Sequence, residues 1–295
     1  GARFVSNGPV KVGPITMEDS NGLLLEAVQF SFQPMIEFRP EEGVVFDLGL
    51  VEIRSGVNTI LTGEIKGAQK DEDLKVDSHF KLKLPALFQQ AVFARSGKVN
   101  SGELDIIATV DTEQTMPYRV EVVATQLLSS APVRRLPEYR FSLQAQRSSE
   151  DRYSVIADVS VGREAAPSSA LNFSATASPM ATPITFEFEL TGDQIIQSDF
   201  TALSGVFHPV ESQSVSGPAQ PDVSDEPSTL PEWKGYVGKG DVAIKRIQLD
   251  GGIELSDFEA DLQVSEPLLS LKELSVNLGG GSAKGHAEVR YAADD

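Results

Sequence analysis

Three histidines, His79, His208 and His286, and no cysteine are what this chain offers for nucleophilic or transition-metal chemistry. Without a thiol there is no thiolate nucleophile, no disulfide and no thiolate metal site. The histidines stand in three unrelated settings: beside Phe80, at the start of a proline-rich run, and in a glycine-rich stretch. A general base needs a nucleophile and an orienting group within hydrogen-bond reach, so three scattered histidines read as surface or edge positions. The acidic groups Asp71-Glu72-Asp73 and Asp257, Glu259, Asp261 invite a calcium reading. Neither has the spaced oxygen ligands, central glycine and terminal glutamate of a calcium loop. Asp71–Asp73 reads as a solvated turn, and the alternation Phe258-Glu259-Ala260-Asp261-Leu262 places the later carboxylates on the wet face of a strand. Gly235, Gly238, Gly240 and the run from Gly279 to Gly285 lead into strand-like Val242-Ala243-Ile244 and Ala287-Glu288-Val289. A phosphate cradle requires a helix to follow, so these glycines are expected in tight turns and sheet bends. No catalytic residue, metal site or cofactor is expected.

The elements that would position any site are strands. Ile184-Thr185-Phe186-Glu187-Phe188-Glu189-Leu190 alternates apolar and polar side chains, as do Phe80–Leu84, Tyr118–Val122, Phe141–Leu143 and Leu274–Leu278. Period two puts every second side chain on one face, giving antiparallel sheet with one face covered. Breakers recur at Asn7-Gly8-Pro9, Gly13-Pro14, Asn21-Gly22, Arg54-Ser55-Gly56, Ser101-Gly102, Asp250-Gly251-Gly252 and Gly279-Gly280-Gly281, the spacing of a hairpin meander. Two short helices are predicted, Pro85 to Arg95 closed by Gly97 and Asp193 to Leu203 closed by Gly205, with a strand over Ala91–Ala94 as the alternative for part of the first. The expected fold is all-β, either an elongated, curved antiparallel sheet forming a groove or a sandwich, with one or two short helices.

The chain has 295 residues, 40% hydrophobic and 23% charged, which is enough for a real core. Its formal charge of −18 would repel phosphate backbones and anionic headgroups, so no nucleic-acid partner is expected. No apolar stretch is long enough for a spanning helix. From His208 to Glu232 the sequence turns to Pro, Ser, Asp and Glu with few large apolar residues, the composition of a linker. The expected organisation is a β domain over 1–207, a linker over 208–232 and a β segment over 233–295, with the alternative that one sheet continues across the linker.

From Trp233 onward the sequence carries four linked patterns. They are Gly240-Asp241-Val242 with Ile244, Ile247 and Leu249; Ile253, Leu255 and Asp257-Phe258; Leu269, Leu271-Lys272 and Leu274; and Gly280-Gly281 with Gly285 and Val289. This succession resembles the C-terminal region of the AsmA family of bacterial envelope proteins. The resemblance implies a curved sheet with an apolar groove, related to bridge-like lipid-transfer proteins. It also implies a periplasmic location and a role in phospholipid movement or outer-membrane homeostasis. The ligand it implies is phospholipid or another acyl-chain lipid, with envelope proteins as further partners. The family's membrane tether is expected to lie outside this chain, on the inner membrane. The groove it implies is lined by Val242, Ile244, Leu255, Leu262, Val264, Leu269, Leu271, Val276 and Leu278, with Phe186 and Phe188 upstream. The same stripes would equally line the dry core of a sandwich. The competing functional class is an extracellular β-sandwich module that binds glycan or a protein; one Trp and five Tyr are few rings for sugar stacking.

Overall fold

Alternation becomes pairing through the turns. At Gly43 the chain reverses with φ of 79°, and a Cβ there would stand 2.1 Å from the Gln69 carbonyl oxygen, so only glycine fits. At the next reversal but one, Asp71 takes φ of 52°, a conformation that Asp tolerates. The expected Asp71–Asp73 turn is therefore where two strands meet.

A computed structural model describes residues 2–19, 22–94, 99–130, 133–149, 151–163, 166–204, 206, 235–265 and 268–290. The first strands are β1 (Arg3–Val5), β2 (Val10–Asp19), β3 (Gly22–Arg39), β4 (Gly43–Ser55), β5 (Asn58–Lys70) and β6 (Asp73–Lys83). Two single-turn helices follow, α1 (Leu84–Leu87) and α2 (Ala91–Ala94), then β7 (Glu103–Asp111) and β8 (Tyr118–Thr125). A ribbon of β9 (Leu128–Ser130) and β10 (Val133–Arg135) precedes β11 (Tyr139–Ser149), β12 (Arg152–Arg163), β13 (Ala166–Ser178) and β14 (Ile184–Ile196). Helix α3 (Gln197–Ser204) leads to β15 (Tyr236–Gln248), β16 (Glu254–Ser265), β17 (Leu268–Leu278) and β18 (Gly281–Arg290). The described structure is 75% strand and 6% helix.

All strands except the β9–β10 ribbon belong to one curved, unclosed, mostly antiparallel sheet of 16 strands. Its order is β1-β3-β4-β5-β6-β7-β8-β11-β12-β13-β14-β15-β16-β17-β18, with β2 also on β3. The fold is thus a single sheet rather than the two facing sheets of a sandwich. One pairing breaks the antiparallel rule: β15 runs parallel to β14, from Ile184 opposite Tyr236 to Ile196 opposite Gln248. A parallel neighbour needs a long crossover, and α3 with the segment after it supplies the length.

By internal contacts the chain divides into two units: 1–146 with 156–170 and 198–210, and 147–155 with 171–197 and 211–295. The expected linker at 208–232, with Trp233, His208, Gly97 and Gly205, lies outside the described residues.

The helix expectations need correction. The first helix is two separate turns, because Gln90 turns inward, 3% exposed, and its Oε1 accepts the Glu26 N–H at 3.0 Å beside Ala27 at φ of 49°. That tertiary hydrogen bond outweighs the local helix pattern across Phe88–Gln90. In the second, Asp193–Ile196 are strand, since Ile195 and Ile196 pair with Ile247 and Gln248; the helix starts at Gln197. The described residues hold three short helices rather than one or two.

The first unit has one dry core. Leu84, Val99, Leu127, Leu136, Tyr139, Val161, Ala202 and Val206 are buried together, with Leu82, Phe88, Leu104, Ala124, Phe200 and Leu203 packed against them. Helix α3 is fastened there by polar contacts. The Asp199 carboxylate accepts hydrogen bonds from Ser168 Oγ at 2.8 Å and Ser169 Oγ at 2.6 Å, and the Tyr139 hydroxyl donates to the Asp199 carbonyl at 2.6 Å.

Candidate functional site

Cross-strand register sorts the side chains of each unit onto two faces of different chemistry. In the first unit, Phe4 opposes Ile36, which opposes Phe46, and the row continues through Gly67, Val76, Val110, Tyr118 and Ala145. The next row is Pro34, Leu48, Ile65, Ser78, Ala108, Val120 and Leu143. Beyond the bulge where Leu50 takes φ of 53°, Val51, Gly63, Phe80, Ile106, Val122 and Phe141 form a third. Phe30, Ile53, Leu61, Leu82, Leu104, Ala124 and Tyr139 form the fourth. Because one residue's shift in register would invert a strand's faces, the agreement of eight strands on one apolar side is a property of the whole sheet.

This face is covered unevenly. Its fourth row runs into the dry core, where Leu82, Leu104 and Ala124 meet α1 and α3. Toward the first row and the β1–β3 edge the cover is gone: Phe4 is 80% exposed, Phe38 53% and Tyr118 48%; in the third row Phe141, on β11, is 38% exposed. An apolar surface of several adjoining rows left to solvent on one side and closed at one end is more than scattered exposure, and is the candidate site.

The opposite face carries the charge. His79 contacts Asp105 at 2.5 Å, Lys75 pairs with Asp111 at 3.6 Å, and Lys66 with Glu64 at 2.8 Å. Hydrogen bonds from Lys66, Arg39 and Arg54 hold the carboxyls of Glu64, Glu37 and Glu52 below the usual carboxylate range. These pairs are solvent-exposed and contribute little stability. They keep this side wet.

In the second unit the eleven residues expected to line a groove share one face. Phe186, Gly238, Val264, Leu269 and Val289 make one row across β14 to β18, and Phe188, Gly240, Leu262, Leu271 and Ala287 the next. Val242 opposes Ala260, and Ile244 opposes Phe258. Val276, Leu278 and Leu255 differ in sequence parity from their neighbours yet join the same face. One extra residue in β17 near Glu273 (φ 49°) and one in β16 at Asp257 (φ 51°) reset the alternation, so that Val276 opposes Ala283 and Leu278 opposes both Gly281 and Leu255. Ile244 and Val264 are buried at 7% and 5% exposed, whereas Leu278 at the hairpin end is 51% exposed.

Gly238 and Gly240 are not in turns, contrary to expectation. They lie inside β15 beneath the rings of their partners: a Cβ on Gly238 would meet Phe186 Cγ at 2.7 Å, and one on Gly240 would meet Phe188 Cε1 at 2.2 Å. The device recurs in the first unit, where Phe46 covers Gly67 and Phe80 covers Gly63, each directly opposite in register. A phenyl ring laid flat over a cross-strand glycine shields its backbone and lowers the height of the apolar surface. Phe188 also packs against Phe173 and Phe186, with centroids 5.8 and 6.2 Å apart.

Sequence reasoning left the first unit's face unassigned as a site, although the alternation of Phe80–Leu84, Tyr118–Val122 and Phe141–Leu143 was its signal. Among the described residues no group of three or more His, Asp or Glu is placed to hold a metal, and no helix is long and apolar enough to cross a membrane. No family model, curated protein or solved structure matches this chain.

Proposed function

We propose that this is a non-catalytic lipid-binding protein of the bacterial cell envelope, which holds the acyl chains of phospholipid along its apolar sheet faces. The observation that carries the reading is the first unit's face: register-aligned apolar rows over eight strands, open at the β1–β3 edge and closed by α1 and α3 at the other end of the strands. At the roughly 4.8 Å spacing of paired strands, eight strands measure about 34 Å along the sheet. One leaflet occupies about half of a hydrocarbon core roughly 30 Å thick, so a row has length for two acyl chains end to end. Each methylene removed from water contributes up to about 0.8 kcal/mol.

An acyl chain suits such a face better than a peptide. Within the sheet the backbone donors and acceptors are already paired between strands, and a bound peptide would find side-chain methyls and rings where it needs hydrogen bonds. The charged outer face and the net −18 keep the protein in water and off anionic bilayers. The resemblance of residues 233–295 to the AsmA family supports an envelope location and a part in phospholipid movement and outer-membrane homeostasis.

The test compares two half-exposed side chains on opposite faces: Phe141 on the apolar side, 38% exposed, and Ile107 on the charged side, 42% exposed. Wild type, Phe141→Asp and Ile107→Asp are purified without detergent from a bacterial host, offered phospholipid vesicles, and assayed by native mass spectrometry and lipid extraction. Wild type and Ile107→Asp are expected to carry phospholipid, and Phe141→Asp severalfold less with unchanged circular dichroism. A wild-type chain that takes up no lipid, or equal loss in both variants, overturns the reading.

A further inference from the structure

An open sheet has two edges, and here they differ. On the β3 side the outer strand is interrupted: β1 and β2 are separated by Asn7-Gly8-Pro9, β2 contains Pro14, and its pairing with β3 shifts register at three places. Prolines and bulges are how natural sheets block strand addition. At the other end β18 is uninterrupted, and its pairing with β17 shifts register at one place, through the extra residue in β17. It is ten residues long, contains no proline, and is exposed throughout. Among the described residues it pairs only with β17.

We infer that β18 is a self-pairing edge, through which two copies of this chain join antiparallel about a twofold axis at His286. The sequence from Ser282 to Arg290 is complementary to itself when read backwards. With His286 opposite His286 of the second copy, Lys284 falls opposite Glu288, and Glu288 opposite Lys284, forming two symmetric opposite-charge pairs. On the other face Ala283 meets Val289 twice and Gly285 meets Ala287 twice. A twofold axis perpendicular to the sheet keeps the faces in agreement, so the apolar side of β18, which continues the Leu269–Val289 and Leu271–Ala287 rows, adjoins the same side of its copy. Val289, 54% exposed in one chain, is covered by the small Ala283 of the other. Isologous contact of this kind closes at two copies, and the junction adds about eight to ten backbone hydrogen bonds. Moving the register by two residues in either direction puts Lys284 opposite His286 or Arg290, which loses both Lys284–Glu288 pairs. Self-pairing at β18 does not depend on lipid binding.

Sedimentation equilibrium of the full chain tests it. Wild type is expected to dimerise. Lys284→Glu and Glu288→Lys each replace both attractive pairs by repulsive ones and should raise the dimer Kd at least about tenfold. An equimolar mixture of the two single variants, and the double variant Lys284→Glu/Glu288→Lys, restore opposite charges at both positions and should dimerise like wild type. Both substituted positions are exposed in the monomer, and circular dichroism checks that the fold is intact. A wild type that stays monomeric up to about 100 µM, single variants that dimerise undiminished, or a mixture that fails to recover overturns the pairing.

Discussion

Gly240→Ala separates two lines of reasoning that predict opposite signs. Gly240 lies in the interior of β15 and its φ is outside the left-handed region, so intrinsic preference favours Ala by about 0.5–1 kcal/mol through the reduced freedom of the unfolded chain. The structure argues the other way. A Cβ at this position would stand 2.2, 2.3 and 2.4 Å from Cε1, Cζ and Cδ1 of Phe188, far inside contact distance, so the ring must swing off the strand. Displacing it breaks its packing with Phe173 and Phe186 and forces an overpacked core, at a cost of about 1–3 kcal/mol. The net expectation is a destabilisation of about 1–2 kcal/mol, read as a lowered urea midpoint at unchanged slope. Two companions sharpen it. Gly285→Ala places a Cβ where nothing lies within 4 Å and should be neutral or stabilising. In the Phe188→Ala background Gly240→Ala should lose most of its cost, a coupling measurable by a double-mutant cycle. Wild-type stability or better in the single Gly240→Ala variant, or additivity in the cycle, would refute the ring-over-glycine account.

Further outcomes follow from the fastening of α3. Burial, then the nearby Asp199 carboxylate, pushes the Tyr139 phenol from its ordinary 10.0 up to about 12. Its contribution to stability is therefore whole below pH 10 and lost as pH rises toward 12, and Tyr139→Phe should flatten this alkaline decline by up to about 1.4 kcal/mol per pH unit. Asp199→Ala removes the acceptor of the Ser168 and Ser169 hydroxyls and should cost about 1–3 kcal/mol, with faster hydrogen exchange in α3 than in β5. Leu271→Asp, in the second unit's apolar rows, should reduce bound phospholipid without unfolding the chain, as judged by circular dichroism and lipid extraction.

The sequence by itself determined the strand-rich class and the chemistry of each face, because both follow from period two: in Thr185-Phe186-Glu187-Phe188 the side chains alternate wherever the strand is placed. The breakers that end most strands were legible for the same local reason. Several features came only with the tertiary structure. That Asp193–Ile196 extend a strand rather than open a helix was decided by pairing with Ile247 and Gln248, about fifty residues on. That Val276, Leu278 and Leu255 face the same way as Leu271 depends on one-residue bulges at the left-handed Glu273 and Asp257, and neither residue's type announces a bulge inside an alternating strand. That Phe188 lies on Gly240 could not be read from either residue, since a cross-strand neighbour is set by register between distant segments. Alternation gives each strand a dry side; only the shared register of many strands turns those sides into one surface, and only the position of α1 and α3 leaves part of that surface open.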